Sequence, residues 1–160
     1  MFLFLGLFQL GFSIKLDESF SEELSKNFMN QIKNIDEVGI FLNNLKISLA
    51  MFIPILGIVL GSFSAFSTGL IFNSIVNLSD LHYSTTPLII FLTPFGILEI
   101  VSYSLAMSRG CIFLYEIFKK RISKKSILYL LTEIGLVCIM LYIGAIVEWD
   151  MIEKIPISSI

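Results

Sequence analysis

Long apolar runs alternate with short polar segments along this chain. Residues 1–14, 40–78, 84–108 and 126–147 are predominantly apolar, whereas residues 15–38 are rich in charge. A helix needs about 20 apolar residues to cross a bilayer, and several of these runs approach or exceed that length. The pattern therefore predicts an all-α fold, a polytopic bundle of transmembrane helices.

The run of residues 40–78 is too long to be one ordinary span. As a single helix rising 1.5 Å per residue it would extend for about 58 Å, roughly twice the hydrocarbon thickness. We therefore expect two helices. The turn between them is predicted at Gly61-Ser62-Phe63-Ser64, the densest cluster of small and polar residues in the run. The whole chain, residues 1–160, is then one integral-membrane domain with about five spans, predicted at residues 1–14, 41–61, 64–78, 87–107 and 126–147.

Residues 15–38 combine six carboxylates and three lysines with apolar side chains at helical spacing. Phe20, Leu24, Phe28 and Ile32 recur every four residues, so they share one face of a helix. This segment is predicted to be an amphipathic extracytoplasmic helix that follows the first span.

Composition excludes a soluble domain of this size. Hydrophobic residues make up 56% of the chain, charged residues only 15%, and the mean hydropathy is +0.87. Ordinary globular chains carry roughly 25% charged residues. The strongly basic connection at residues 109–125 is expected in the cytoplasm, which places the N-terminus inside and the C-terminus outside. Tyr83 and Trp149 then lie at outer ends of spans, where aromatic side chains are enriched.

Small residues and one amide repeat every four positions through the middle of the chain. They are Gly57, Gly61, Ala65, Gly69 and Asn73. On a helix they form one smooth face that permits close backbone contact in a membrane. Packing within the chain is the favoured interpretation, and an interface with a second copy or a partner protein is the alternative.

The segment Thr93-Pro94-Phe95-Gly96 interrupts the fourth predicted span. Pro94 removes an amide donor and Gly96 allows the backbone to open, so carbonyl groups could become available inside the membrane. Such breaks line cavities in transporters. The equally weighted alternative is a kinked helix whose freed carbonyl is bonded by Thr93 or a neighbour.

Two carboxylates, Glu99 and Glu133, fall inside predicted spans, where ionisable residues are costly. Counted from the basic connection, they lie at about 12 Å and 10 Å along their helices, so matching depth is expected. One hypothesis is that the two carboxyls share a proton or line a cation path. The other is that each forms a structural hydrogen bond between helices.

No catalytic motif stands out. The sequence has no Walker loop, no zinc-type cluster of histidine and cysteine, and no G-x-S-x-G elbow, so we expect neither an enzyme nor a bound cofactor or metal, and no nucleic-acid partner. Cys111 and Cys138 are interpreted as packing residues, and His82 as a solvated loop residue.

Several ordered motifs resemble the stage II sporulation protein M family of small polytopic membrane proteins of prokaryotes. They are FLNN at 41–44, LGIVLG at 56–61, FN at 72–73, TPFGILE at 93–99, and Gly110 before a basic stretch. The chain departs from the family pattern at two positions. Phe95 stands where the family commonly has histidine or another polar residue, and Ser74 stands where glycine often follows the asparagine.

The resemblance implies a protein that works through partners. In spore-forming bacteria the family member acts with a peptidoglycan-degrading enzyme and a second protein in a membrane complex during engulfment. For this chain it implies a non-enzymatic scaffold or accessory subunit, partnered by other membrane proteins or by its own copies. The alternative is a small oligomeric channel or a proton- or cation-coupled transporter whose path is lined by Pro94, Gly96, Glu99 and Glu133.

Overall fold

The computed structural model describes residues 1–32, 35–78 and 87–154. The described part is helical and contains no strand, which confirms the all-α prediction. The elements are α1 Phe2–Phe12, α2 Glu18–Ile32, α3 Glu37–Met51, α4 Leu56–Leu78, a 3₁₀ helix Pro87–Leu92, α5 Pro94–Phe118 and α6 Lys124–Glu153. The expectations for His82 and Tyr83 lie outside the described residues.

Three of the described helices are long and apolar enough to cross a membrane. They are α4 with 23 residues, α5 with 25 and α6 with 30. The first two predicted spans correspond to shorter helices, since α1 has 11 residues and α3 has 15. Of the five predicted spans, the described helices therefore supply three of full length. At the N-terminus the apolar run of residues 1–14 is longer than the helix within it, which has 11 residues.

The chain turns earlier than predicted between α3 and α4. Residues 61–64, the predicted turn, lie inside the continuous helix α4, and the turn is instead at residues 52–55. Pro54 lacks an amide hydrogen, and Ile55 adopts a left-handed backbone with φ 67°. Proline and a left-handed residue end a helix, whereas serines and a glycine in an apolar run are tolerated within one. The predicted helices at 41–61 and 64–78 are therefore replaced by α3 and α4.

The small-residue stripe lies on one buried face of α4. Gly69 packs directly on the backbone of α1, where an added Cβ would collide with the carbonyl oxygen of Phe8. Gly61 faces the side chain of Met107 on α5, and Gly57 lies against the backbone of Met51. Ala65 and Asn73 are also buried. The described chain thus covers this face with its own helices, as in the favoured of the two interpretations.

Asn73 links α4 to the end of α1 through a hydrogen bond. Its side-chain Nδ2 donates to the carbonyl oxygen of Ile14 at 2.5 Å, and its Oδ1 accepts from Asn77 Nδ2 at 2.8 Å. Because Phe8 lies beside Gly69 and Ile14 beside Asn73, α1 and α4 run in the same direction. Helix α2 also packs against α4, and its Ser21 is buried.

Helices α5 and α6 form an antiparallel hairpin, and the basic connection joins them. That connection is shorter than predicted, because α5 continues to Phe118 and α6 begins at Lys124. Ser123 caps α6 by accepting a hydrogen bond from the Ser126 amide at 3.2 Å. The predicted helix at 87–107 is corrected at both ends to Pro94–Phe118. Arg109, assigned to the connection from sequence, is therefore a helical residue.

Candidate functional site

A cavity of about 740 Å³ lies among the helices, lined by residues of all six. Its volume is within the range of small-molecule sites. Among the described residues the lining is mostly aromatic and aliphatic. The polar and amphipathic lining residues are Asn43, Asn44, Ser64, Thr68, Glu99, Tyr103, Glu148, Trp149 and Glu153.

A hydrogen bond between two of the motifs forms one wall of this cavity. The Asn44 side-chain Nδ2 donates to Glu99 Oε1, joining α3 to α5. Asn44 belongs to the FLNN motif and Glu99 to TPFGILE, and 54 residues separate the two along the chain. The fold therefore brings together two short motifs that are far apart in sequence. Glu99 is half-buried, and both side chains line the cavity.

The start of α5 places Glu99 at this wall. Thr93 is the N-cap, and its Oγ1 accepts a hydrogen bond from the Gly96 amide at 3.1 Å. Pro94 occupies the first turn, where a missing amide hydrogen costs nothing because no helical acceptor exists there. Pro94 therefore begins α5 directly after the 3₁₀ helix Pro87–Leu92, so this segment is a helix start and not a kink within one continuous helix. Gly96 is buried and lines the cavity.

Glu133 lies away from Glu99, in contrast to the predicted pairing. Since α5 extends to Phe118, Glu99 is about 28 Å along the helix from the basic connection, whereas Glu133 is about 14 Å from it. The expectation of matching depth is wrong because it ended α5 near residue 107. The carboxylates that line the cavity with Glu99 are instead Glu148 and Glu153.

Glu133 forms an ion pair with Arg109 between α6 and α5. Arg109 Nε donates to Glu133 Oε2 at 2.6 Å, and the Nη2 group of the same guanidinium donates to Oε1. The two side chains are only 12% and 22% exposed. The Arg109 guanidinium also lies 5.9 Å from the ring centroid of Tyr129. This bidentate ion pair neutralises the carboxylate and fixes the register of the α5–α6 hairpin.

Sequence reasoning missed Glu148 as a site residue, although a signal was present. Glu148 follows the buried residues Leu141, Gly144 and Ala145 by seven, four and three positions. These spacings place it on the same helix face, which points into the protein. The partnership of Arg109 with Glu133 had no comparable signal, since it depends on where α5 ends.

Replacing Asn44 by leucine tests the bond to Glu99. We expect a loss of about 1–2 kcal/mol in unfolding free energy, the upper range for polar contacts between membrane helices. The measurement is unfolding by SDS titration in mixed micelles. Asn43→Leu is the matched control, because Asn43 lines the same cavity and has no hydrogen bond to a described residue. Equal losses for both variants would contradict a specific Asn44–Glu99 contribution.

Comparison with known families finds a match over most of the chain. The model of the family Stage II sporulation protein M matches residues 1–149, which include Asn44, Glu99, Glu148 and all of the motifs described above. Neither the curated proteins nor the solved structures that were compared match the chain. The family match covers more than nine-tenths of the sequence. The chain therefore belongs to the stage II sporulation protein M family.

Proposed function

We propose that this protein is a non-enzymatic membrane scaffold, an accessory subunit of a larger membrane complex. The observation that carries the proposal is that two intramembrane carboxylates each bond to a side chain of a neighbouring helix. Glu99 is bonded to Asn44 and Glu133 to Arg109, each on a different helix. Contacts of this kind between helices stabilise a helix bundle.

The proposed partner surface is the acidic face of α2. The small-residue face of α4 is covered by α1 and α5, so it is not offered for docking. On α2, by contrast, Glu18, Glu22 and Glu23 are exposed. With the N-terminus in the cytoplasm and the C-terminus outside, the beginning of α2, which follows the end of α1, faces the extracytoplasmic side. A partner with a basic surface fits this face by charge complementarity.

The proposal is tested by affinity purification of the tagged native protein in mild detergent, with mass spectrometry and mass photometry. We expect stoichiometric recovery of at least one membrane or outer-surface protein. Charge reversal by Glu22→Lys with Glu23→Lys should reduce that recovery by about tenfold, because like charges then oppose docking. Asp150→Lys is the control, since Asp150 is an exposed carboxylate on α6.

A homo-oligomer without a partner would contradict the scaffold and favour the second candidate, a small oligomeric channel or a proton- or cation-coupled transporter. The observation in favour of that candidate is that Glu99 and Glu148 share one cavity. Glu133 is paired with Arg109 and is not part of that wall. Proton or cation flux into proteoliposomes that disappears in Glu99→Gln would support transport.

A further inference from the structure

The carboxylate of Glu148 and the hydroxyl of Tyr103 are among the polar groups of the cavity that have no hydrogen-bond partner in the part of the chain that the structure describes. Tyr103 is only 6% exposed, and its side chain lines the cavity. Because no described residue bonds either group, both are available to a ligand in the cavity.

The remainder of the lining is unusually aromatic. Phe4, Phe8, Phe91 and Tyr103 form a connected set, in which the Phe8 and Phe91 rings meet edge to face with centroids 4.6 Å apart. Trp149 lies on the same lining, next to Glu148 in the chain. Aromatic faces attract cations through their negative quadrupole while also binding apolar groups.

The described lining carries acidic side chains and no basic one. It includes Glu99, Glu148 and Glu153, and none of the described lining residues is a lysine, an arginine or a histidine. Arg109 lies ten residues beyond Glu99 on α5, about 15 Å along the helix, and is already paired with Glu133. A cation from outside the chain would therefore complement the cavity.

We infer that this cavity binds a lipophilic organic cation, an ammonium or phosphonium centre with a compact apolar body. The charged centre lies by Glu99 and Glu148, within reach of the Tyr103 hydroxyl. The apolar body packs on the partly buried rings of the lining, Phe28, Phe91 and Phe95. A cavity of about 740 Å³ accommodates a ligand of this kind. The inference is independent of the proposed function, because it requires only the isolated chain and no partner protein.

The test uses the full chain in lipid nanodiscs with tetraphenylphosphonium as the probe. Trp149 is the only tryptophan, so its fluorescence reports directly on the cavity. We expect saturable quenching by tetraphenylphosphonium after subtraction of the signal from empty nanodiscs. Tetraphenylborate has the same shape and the opposite charge, so it should give no saturable quenching.

Glu148→Gln should weaken phosphonium binding by about tenfold, which corresponds to about 1.4 kcal/mol. This variant should also fold normally, since Glu148 has no hydrogen bond to a described residue that the change would break. Glu22→Gln, an exposed carboxylate on α2, is the control and should leave binding unchanged. Equal saturable binding of the borate, or unchanged phosphonium affinity in a folded Glu148→Gln protein, would overturn the inference.

Discussion

Replacement of Arg109 by methionine is expected to lower the unfolding free energy by about 3–5 kcal/mol, the largest effect of any single change considered for this protein. The change leaves Glu133 without its guanidinium at the α5–α6 interface, where that side chain is only 22% exposed. Breaking one member of a buried pair costs more than the pair contributes, because the remaining charge stays desolvated. SDS-titration unfolding in mixed micelles, followed by Trp149 fluorescence, measures the loss.

Two further variants separate loss of the pair from loss of side-chain packing. Arg109→Met combined with Glu133→Leu removes both charges and should recover most of the stability, since no uncompensated carboxylate remains. Lys154→Met breaks the exposed pair with Asp150 on the same helix and should change stability by less than about 0.5 kcal/mol. Similar losses in Arg109→Met and in the double variant would show that packing of the arginine stem, and not its charge, is the cause.

Replacement of Gly69 by leucine is expected to cost about 3 kcal/mol, the upper range for overpacking. At this position the backbones of α1 and α4 are in direct contact, and a Cβ would meet the carbonyl oxygen of Phe8 and the amide nitrogen of Phe12. Backbone atoms cannot move aside as the end of a flexible side chain can. Helix α1 must therefore shift away from α4 and lose the Asn73 bond to the Ile14 carbonyl.

Gly135→Leu is the matched control for this substitution. Gly135 lies within α6, and a Cβ built there meets no atom within 4 Å. Because leucine is also a better helix former than glycine, this control should be neutral or slightly stabilising. Unfolding of both variants is followed in the same mixed micelles. A Gly69→Leu protein as stable as Gly135→Leu would show that α1 is not held on α4 as described.

The fold class could be predicted because it depends on patterns that are visible in the sequence itself. Apolar runs of membrane length predicted helices, and α4, α5 and α6 are long and apolar enough to span. The four-residue repeat of small side chains predicted a close-packed helix face, and its members are buried on α4. Both patterns follow from the geometry of a single helix, so no knowledge of its neighbours was needed.

Helix ends were less predictable, and errors there propagated to the site. Hydropathy treats Pro54 as one polar interruption among several, although its missing amide hydrogen makes it the effective helix breaker. Placing the end of α5 near residue 107 also moved Arg109 into a loop and gave Glu99 and Glu133 the same depth. The structure instead carries α5 to Phe118, and each carboxylate acquires a different partner.

The sequence by itself determined that this chain is an all-helical protein with membrane-length apolar helices, and its ordered motifs resembled the family to which it belongs. Only the tertiary structure decided the partners of its charges, joining Asn44 to Glu99 and Arg109 to Glu133 and leaving Glu148 on the cavity wall. The physical reason is the distance along the chain over which each property acts. Hydropathy and helical spacing are local properties of the chain, whereas a hydrogen bond between helices depends on where each helix begins, ends and crosses its neighbour.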